Sequence, residues 1–124
     1  MSHAESFEDL VIWKKAHHLV LEVYRVTEAL PRAEEYGLKR QMRRSAVSVP
    51  ANIAEGFTRR TTADKARFLN IAQGSFAELS NYFILVKDLD FLSRGVLDLE
   101  LKEVHQLVKD AESTMYWKAR RERG

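Results

Sequence analysis

From Ile12 to Met115, apolar residues return at steps of three and four, and very little interrupts them. Only two prolines and five glycines punctuate 124 residues. No run keeps the period-two alternation of a half-buried strand, whereas steps of three and four place side chains on one face of an α-helix. The chain is therefore restricted to long amphipathic helices joined by short connections.

The first helix is predicted over about 7–30. Ile12, Ala16, Leu19, Val23, Val26 and Leu30 form its inner stripe, while Lys15, His18, Glu22 and Arg25 share the opposite face. Ser6 is a plausible N-cap with Asp9 three residues on. Pro31 is expected to stop the helix, because a proline pushes the residue before it out of the α region. The second helix is predicted over about 38–60, with Leu38, Met42, Ser45, Ala46, Val49, Ile53 and Phe57 inside. Pro50 falls within that pattern and should kink the helix, since it removes one backbone hydrogen bond.

Thr61 or Thr62 should cap a third helix running over about 62–90. Phe68, Ile71, Ala72, Ser75, Leu79, Tyr82, Val86 and Leu89 are expected to face inward. Leu69, Phe76 and Phe83 recur every seven residues on a neighbouring face. Either both stripes are core, or the second is an oligomer interface. The fourth helix is predicted over about 97–119, with Leu97, Leu101, Val104, Val108, Ala111 and Met115 inside. Four such helices with short loops predict an all-α fold, an antiparallel up-and-down four-helix bundle in a single domain spanning 1–124.

Composition narrows the chemistry. There are no cysteines, which excludes disulfides and thiolate metal sites. The N-terminal stretch is acidic rather than apolar, and no apolar run approaches a membrane span. A cytoplasmic protein without membrane contact is the expectation. The histidines are His3, His17, His18 and His105. His17 and His18 are adjacent and point about 100° apart on a helix, so they cannot chelate together. His18 and Glu22 are one turn apart and are expected to form an exposed pair. No nucleophile elbow, phosphate loop or Glu-x-x-His pair is present. No catalytic residue, cofactor or metal is expected.

Two features remain. Asn52, Glu55, Ser75 and Glu78 sit at the borders of the apolar stripes and are expected to form a structural polar network. A catalytic carboxylate pair, Glu55 with Glu78, is the sharper alternative. The second feature is charge. Between Gly37 and Arg67 lie Lys39, Arg40, Arg43, Arg44, Arg59, Arg60, Lys65 and Arg67 against only Glu55 and Asp64, whereas the rest of the chain is net acidic. A short basic tail, Lys118 to Arg123, is a further local excess. Such asymmetry marks a polyanion-facing surface, although an ordinary solvated helix face has the same composition. Phe57 and Phe68 read as buried, so binding should follow phosphates rather than stack on bases.

Several segments resemble a known family. They are Phe7-Glu8-Asp9-Leu10 with Trp13 and Ala16, then Gln41-Met42-Arg43-Arg44-Ser45-Ala46, then Ser48-Val49-Pro50-Ala51-Asn52-Ile53-Ala54-Glu55-Gly56. Arg59, Arg67-Phe68-Leu69 and Gly74-Ser75 with Glu78-Leu79 complete the pattern. The chain resembles the four-helix-bundle proteins encoded in intervening sequences of bacterial 23S rRNA genes, over roughly 7–92. Those are similar in fold to the accessory variability proteins of diversity-generating retroelements. The resemblance implies a homo-oligomeric ring, a pentamer being favoured, with Pro50 carried inside helix two. In the retroelement branch it implies a basic surface that binds nucleic acid.

The expected function is that of a non-enzymatic, oligomeric nucleic-acid-binding or scaffolding protein that contacts RNA or DNA backbone. The alternative is a protein-interaction adaptor whose partner is another protein or a second copy.

Overall fold

The computed structural model describes residues 4–123, so His3 lies outside the described residues. Four α-helices make up the fold: α1 Val11–Thr27, α2 Leu38–Phe57, α3 Thr62–Asp88 and α4 Asp98–Glu122. Among the described residues there is no β-strand.

Helix ends follow local chemistry. Ser6 and Asp9 do form a reciprocal capping box, but it closes a single 3-10 turn, Phe7–Asp9. Leu10 is then extended, and α1 starts at Val11, four residues later than expected. Helix α1 also ends before Pro31. Thr27 Oγ1 donates back to the carbonyl of Val23 at 2.7 Å, and Arg43 Nη2 donates to the carbonyl of Tyr24 at 3.0 Å. Of the last-turn carbonyls, Tyr24 takes Arg43, and Val26 and Thr27 take the N–H groups of Ala29 and Leu30 in tighter turns, so the end of the helix needs no further α-turn. Thr61 caps α3, its hydroxyl accepting from the Asp64 N–H at 3.1 Å. Leu97, in the left-handed region at φ 59°, sets up the start of α4. That helix continues to Glu122, so most of the basic tail is helical.

Each helix packs on its sequence neighbours, and α1 closes the ring against α4. Cross-helix pairs fix the directions. Ser45 meets Glu78 and Ser48 meets Ser75, so α2 and α3 are antiparallel. Thr62 meets Glu122 while Lys87 meets Asp98, so α3 and α4 are antiparallel too. Arg43 near the start of α2 reaches Thr27 at the end of α1. This is the four-helix bundle that the periodicity predicts. Pro50 is buried inside α2, which runs through it as one helix despite the missing N–H.

The core corrects one expectation. Leu69, Phe76 and Phe83 are buried within the bundle and do not form an outward oligomer interface. Phe76, 1 % exposed, lies under the imidazole of His105 on α4, the rings stacked at 4.8 Å. Helix α3 touches both α2 and α4, so it needs two apolar stripes, one for each neighbour. Ile71 and Leu89, expected inside, are exposed.

Candidate nucleic-acid interface

Of the eight basic residues between Lys39 and Arg67, most hold the fold. Lys39 lies between Glu28 at 3.3 Å and Glu35 at 3.1 Å. Arg43 donates through Nε to Thr27 Oγ1 at 3.0 Å and through Nη2 to Glu28 at 2.7 Å, and its guanidinium covers the Tyr24 ring at 4.4 Å. The hydrogen bond from Arg43, followed by the hydrogen bond and charge of Lys39, holds the Glu28 carboxyl below the usual carboxylate range. At the far end of α2, Lys65 Nζ donates to the carbonyl of Phe57 at 2.8 Å and so caps the helix C-terminus. Arg59 and Arg67 each sit 4.5 Å from the centroid of Phe68, and they pair with Glu55 and Asp64.

Arg40, Arg44 and Arg60 are exposed, and among the described residues none of them has an ion-pair partner. Their positions divide the basic stretch. Arg40 and Arg44 lie on the first turns of α2, and Arg60 lies beyond its last turn. At 1.5 Å per residue, the stretch of α2 from Arg40 and Arg44 to Phe57 separates the two groups by roughly 20–25 Å. The expected single patch is therefore two.

The first group borders an open groove whose lining includes Tyr24, Tyr36, Arg40, Arg44 and Val47. Tyr36 is 83 % exposed in the loop before α2. Aromatic rings do accompany the cations here, contrary to the expectation drawn from Phe57 and Phe68. Tyr24 and Tyr36 were missed because they lie outside the basic run, one on α1 and one in the connecting loop. The signal available was Tyr36-Gly37 immediately before a basic helix.

The polar network forms in part. Asn52 Nδ2 donates to the Ser48 carbonyl at 2.8 Å and to Ser48 Oγ at 3.0 Å, and Ser48 Oγ lies 2.7 Å from Ser75 Oγ. Ser45 Oγ donates to Glu78 at 2.8 Å. Glu55 is not a member, because it turns outward to Arg59. The two carboxylates thus have separate partners rather than forming a pair. Ser45, Ser48 and Asn52 recur at steps of three and four, and that spacing already placed them on one flank of α2.

His18 Nε2 is 3.8 Å from Glu22, whose carboxylate also takes Arg25. His17 stacks on Trp13 at 4.8 Å. No group of three metal-ligating side chains gathers among the described residues. No helix there is long and apolar enough to cross a membrane.

No curated protein matches the chain. A family model does, that of the 23S rRNA-intervening sequence protein, over residues 8–113, and it spans the serine seam, Pro50 and both basic groups between Lys39 and Arg67. With that match over most of its length, the chain belongs to the 23S rRNA-intervening sequence protein family.

Proposed function

We propose that the protein is a non-enzymatic, self-assembling module that binds RNA or DNA through its phosphate backbone. The observation that carries this reading is the groove at the start of α2. There Arg40 and Arg44 project without ion-pair partners beside the exposed rings of Tyr24 and Tyr36. Lys39 and Arg43 brace the same turn through Glu28, so the two free guanidiniums stand on a rigid helix. Phosphates released from their counterions supply the affinity, and salt weakens it steeply.

The test is fluorescence anisotropy with a structured RNA and a duplex DNA at two salt concentrations. Binding should fall steeply with salt. In R40A/R44A the log–log salt slope should shrink by about two, roughly one for each lost phosphate contact. Absence of binding at low salt, or an unchanged slope in the variant, would overturn the reading.

Self-assembly is the second part of the proposal, with five subunits the count that the family resemblance implies. Its support is an apolar patch between α3 and α4, where Ile84 is 61 % and Leu99 80 % exposed in one shared groove. A second copy is the occupant we infer. An adaptor that offers this patch to a different protein is the competing reading.

A further inference from the structure

Two basic segments far apart in sequence meet at one end of the bundle. One is the turn between α2 and α3, with Arg59, Arg60, Lys65 and Arg67. The other is the last two turns of α4 with its C-cap, bearing Lys118, Arg120, Arg121 and Arg123. Thr62 Oγ1 joins them, donating to Glu122 at 3.1 Å. Asp64 and Glu122 are the acids in these two segments, and the rest of the chain is net acidic. The convergence concentrates positive charge on one end of a molecule whose formal net charge is only +2.

Exposed aromatic rings stand in the middle of this charge. Tyr116 is 47 % and Trp117 56 % exposed, and their rings meet edge to face at 5.4 Å. The Arg120 guanidinium lies 5.9 Å from the Tyr116 centroid and 5.8 Å from that of Trp117. Beside Tyr116 an open groove runs between α3 and α4, with Ala63, Ala66 and Ala119 among its lining, Arg67 and Arg123 at its sides, and the Glu112 carboxylate at its far end taken up by the amides of Asn70 and Gln73. Methyl side chains leave room for a flat ring, and the arginines lie where a backbone would carry charge. Trp117 and Tyr116 have no packing task that explains their exposure, because the inner stripe of α4 is already supplied by Leu101, Val104, Val108 and Ala119.

We propose that this end of the bundle is a platform for single-stranded nucleic acid. Unpaired bases stack on Tyr116 and Trp117, and Arg60, Arg121 and Arg123, which have no ion-pair partner among the described residues, take the flanking phosphates. The chemistry decides between partners. A duplex keeps its base faces inside the stack and offers only phosphates, whereas a single strand offers both. An acidic peptide would satisfy the arginines and leave the two rings unused. The inference deepens the proposed nucleic-acid role and rests on it. Family membership does not supply it, since the matched span ends at residue 113, before Tyr116.

The experiment measures anisotropy of one labelled sequence as single-stranded RNA, single-stranded DNA and duplex DNA. Proteins compared are the wild type, Y116A/W117A, W117F and R40A/R44A, each first checked for helicity by circular dichroism. Both ring positions are exposed on the last turns of α4, so the fold should persist. Removing the rings should weaken single-strand binding roughly tenfold or more and change duplex binding by less than about twofold, the size expected for lost base stacking. W117F should retain most of the affinity, because a ring remains. R40A/R44A should weaken all three. RNA and DNA arms that differ would identify the sugar the site prefers. If the wild type binds duplex and Y116A/W117A binds single strands as the wild type does, the platform is wrong and the broader reading survives. If the wild type binds none of the three at low salt, both fail.

Discussion

The hydroxyls of Ser48 and Ser75 lie 2.7 Å apart across the seam between α2 and α3. Asn52 donates to the same Ser48 oxygen at 3.0 Å, so one serine serves partners on two helices. This makes the two serines unequal. Losing Ser75 leaves Ser48 bonded to Asn52, whereas losing Ser48 strands both Ser75 and the second contact of Asn52. Each net hydrogen bond contributes about 1 kcal/mol. S75A should therefore cost about 1 kcal/mol and S48A more. A double-mutant cycle by urea denaturation should give a coupling of about 0.5–1.5 kcal/mol. Additive single-mutant effects would show that the contact contributes nothing.

Two helical glycines should respond to alanine in opposite directions. A Cβ at Gly74 meets nothing within 4 Å, so G74A gains helix propensity at no steric cost, about 0.5–1 kcal/mol. A Cβ at Gly56 would lie 3.1 Å from Cβ of Phe68. Phe68 cannot swing away, because Cβ is fixed to the backbone and Arg59 and Arg67 flank its ring. Overpacking should outweigh the propensity gain and leave G56A destabilised by about 1 kcal/mol. Paired thermal melts check both signs, and stabilisation of G56A would mean that α2 and α3 can move apart there freely.

Acid should act through two groups in separate windows. Arg43 and Lys39 lower the Glu28 pKa in the folded state. Its contribution is present above the ordinary carboxylate pKa and is lost as pH falls through the lower folded value. Wild type and E28Q should accordingly differ at neutral pH and converge in acid. Burial against Phe76, with Lys109 adding to it, lowers the His105 pKa. Folding thus favours the neutral imidazole, and stability falls as pH drops from the ordinary histidine range through the folded value. H105F keeps a ring over Phe76 but cannot titrate. It should flatten the profile in that upper window and leave the carboxylate window unchanged. Thermal melts across pH separate the two, and an H105F profile that still bends near the histidine range would remove His105 as the cause.

The same residues show how far the chain could be read before folding. The steps of Ile12 to Leu30 and of Leu97 to Met115 announced the helices, because burial of one face leaves a periodic trace in sequence. Both stripes of α3 are visible in the sequence, but Leu69, Phe76 and Phe83 do not reveal which neighbour they face. Stripe position on one helix carries no information about which other helix covers it. Helix α1 ends short of Pro31 because Arg43, sixteen residues after Thr27, holds the Thr27 hydroxyl and the Tyr24 carbonyl, a partner that the local sequence does not announce. The basic run reads as one patch because sequence distance along a helix hides about 20–25 Å of axial separation. Tyr24 joins those charges only through tertiary packing, whereas Tyr36 beside Arg40 and Tyr116 and Trp117 beside Arg120 are close in sequence, where nothing but folding shows that their rings stay exposed.

Assembly gives the last prediction. With Leu69, Phe76 and Phe83 inside the bundle, any contact between copies must use what remains exposed, and Ile84 with Leu99 is an aliphatic pair that shares one groove. Lys87 already pairs with Asp98 and Lys102 lines the same groove, so charged side chains frame the apolar centre. A polar rim around an apolar middle is the usual anatomy of a protein contact. Aspartate at both positions would place two carboxylates in that centre, where desolvation disfavours them. I84D/L99D should run as a monomer by size-exclusion chromatography with light scattering, while the wild type runs as a larger species. Its circular-dichroism spectrum should remain as helical as that of the wild type, because neither side chain belongs to the core. A monomeric wild type would leave the patch to a different protein, and a variant that still assembles would move the contact to another face.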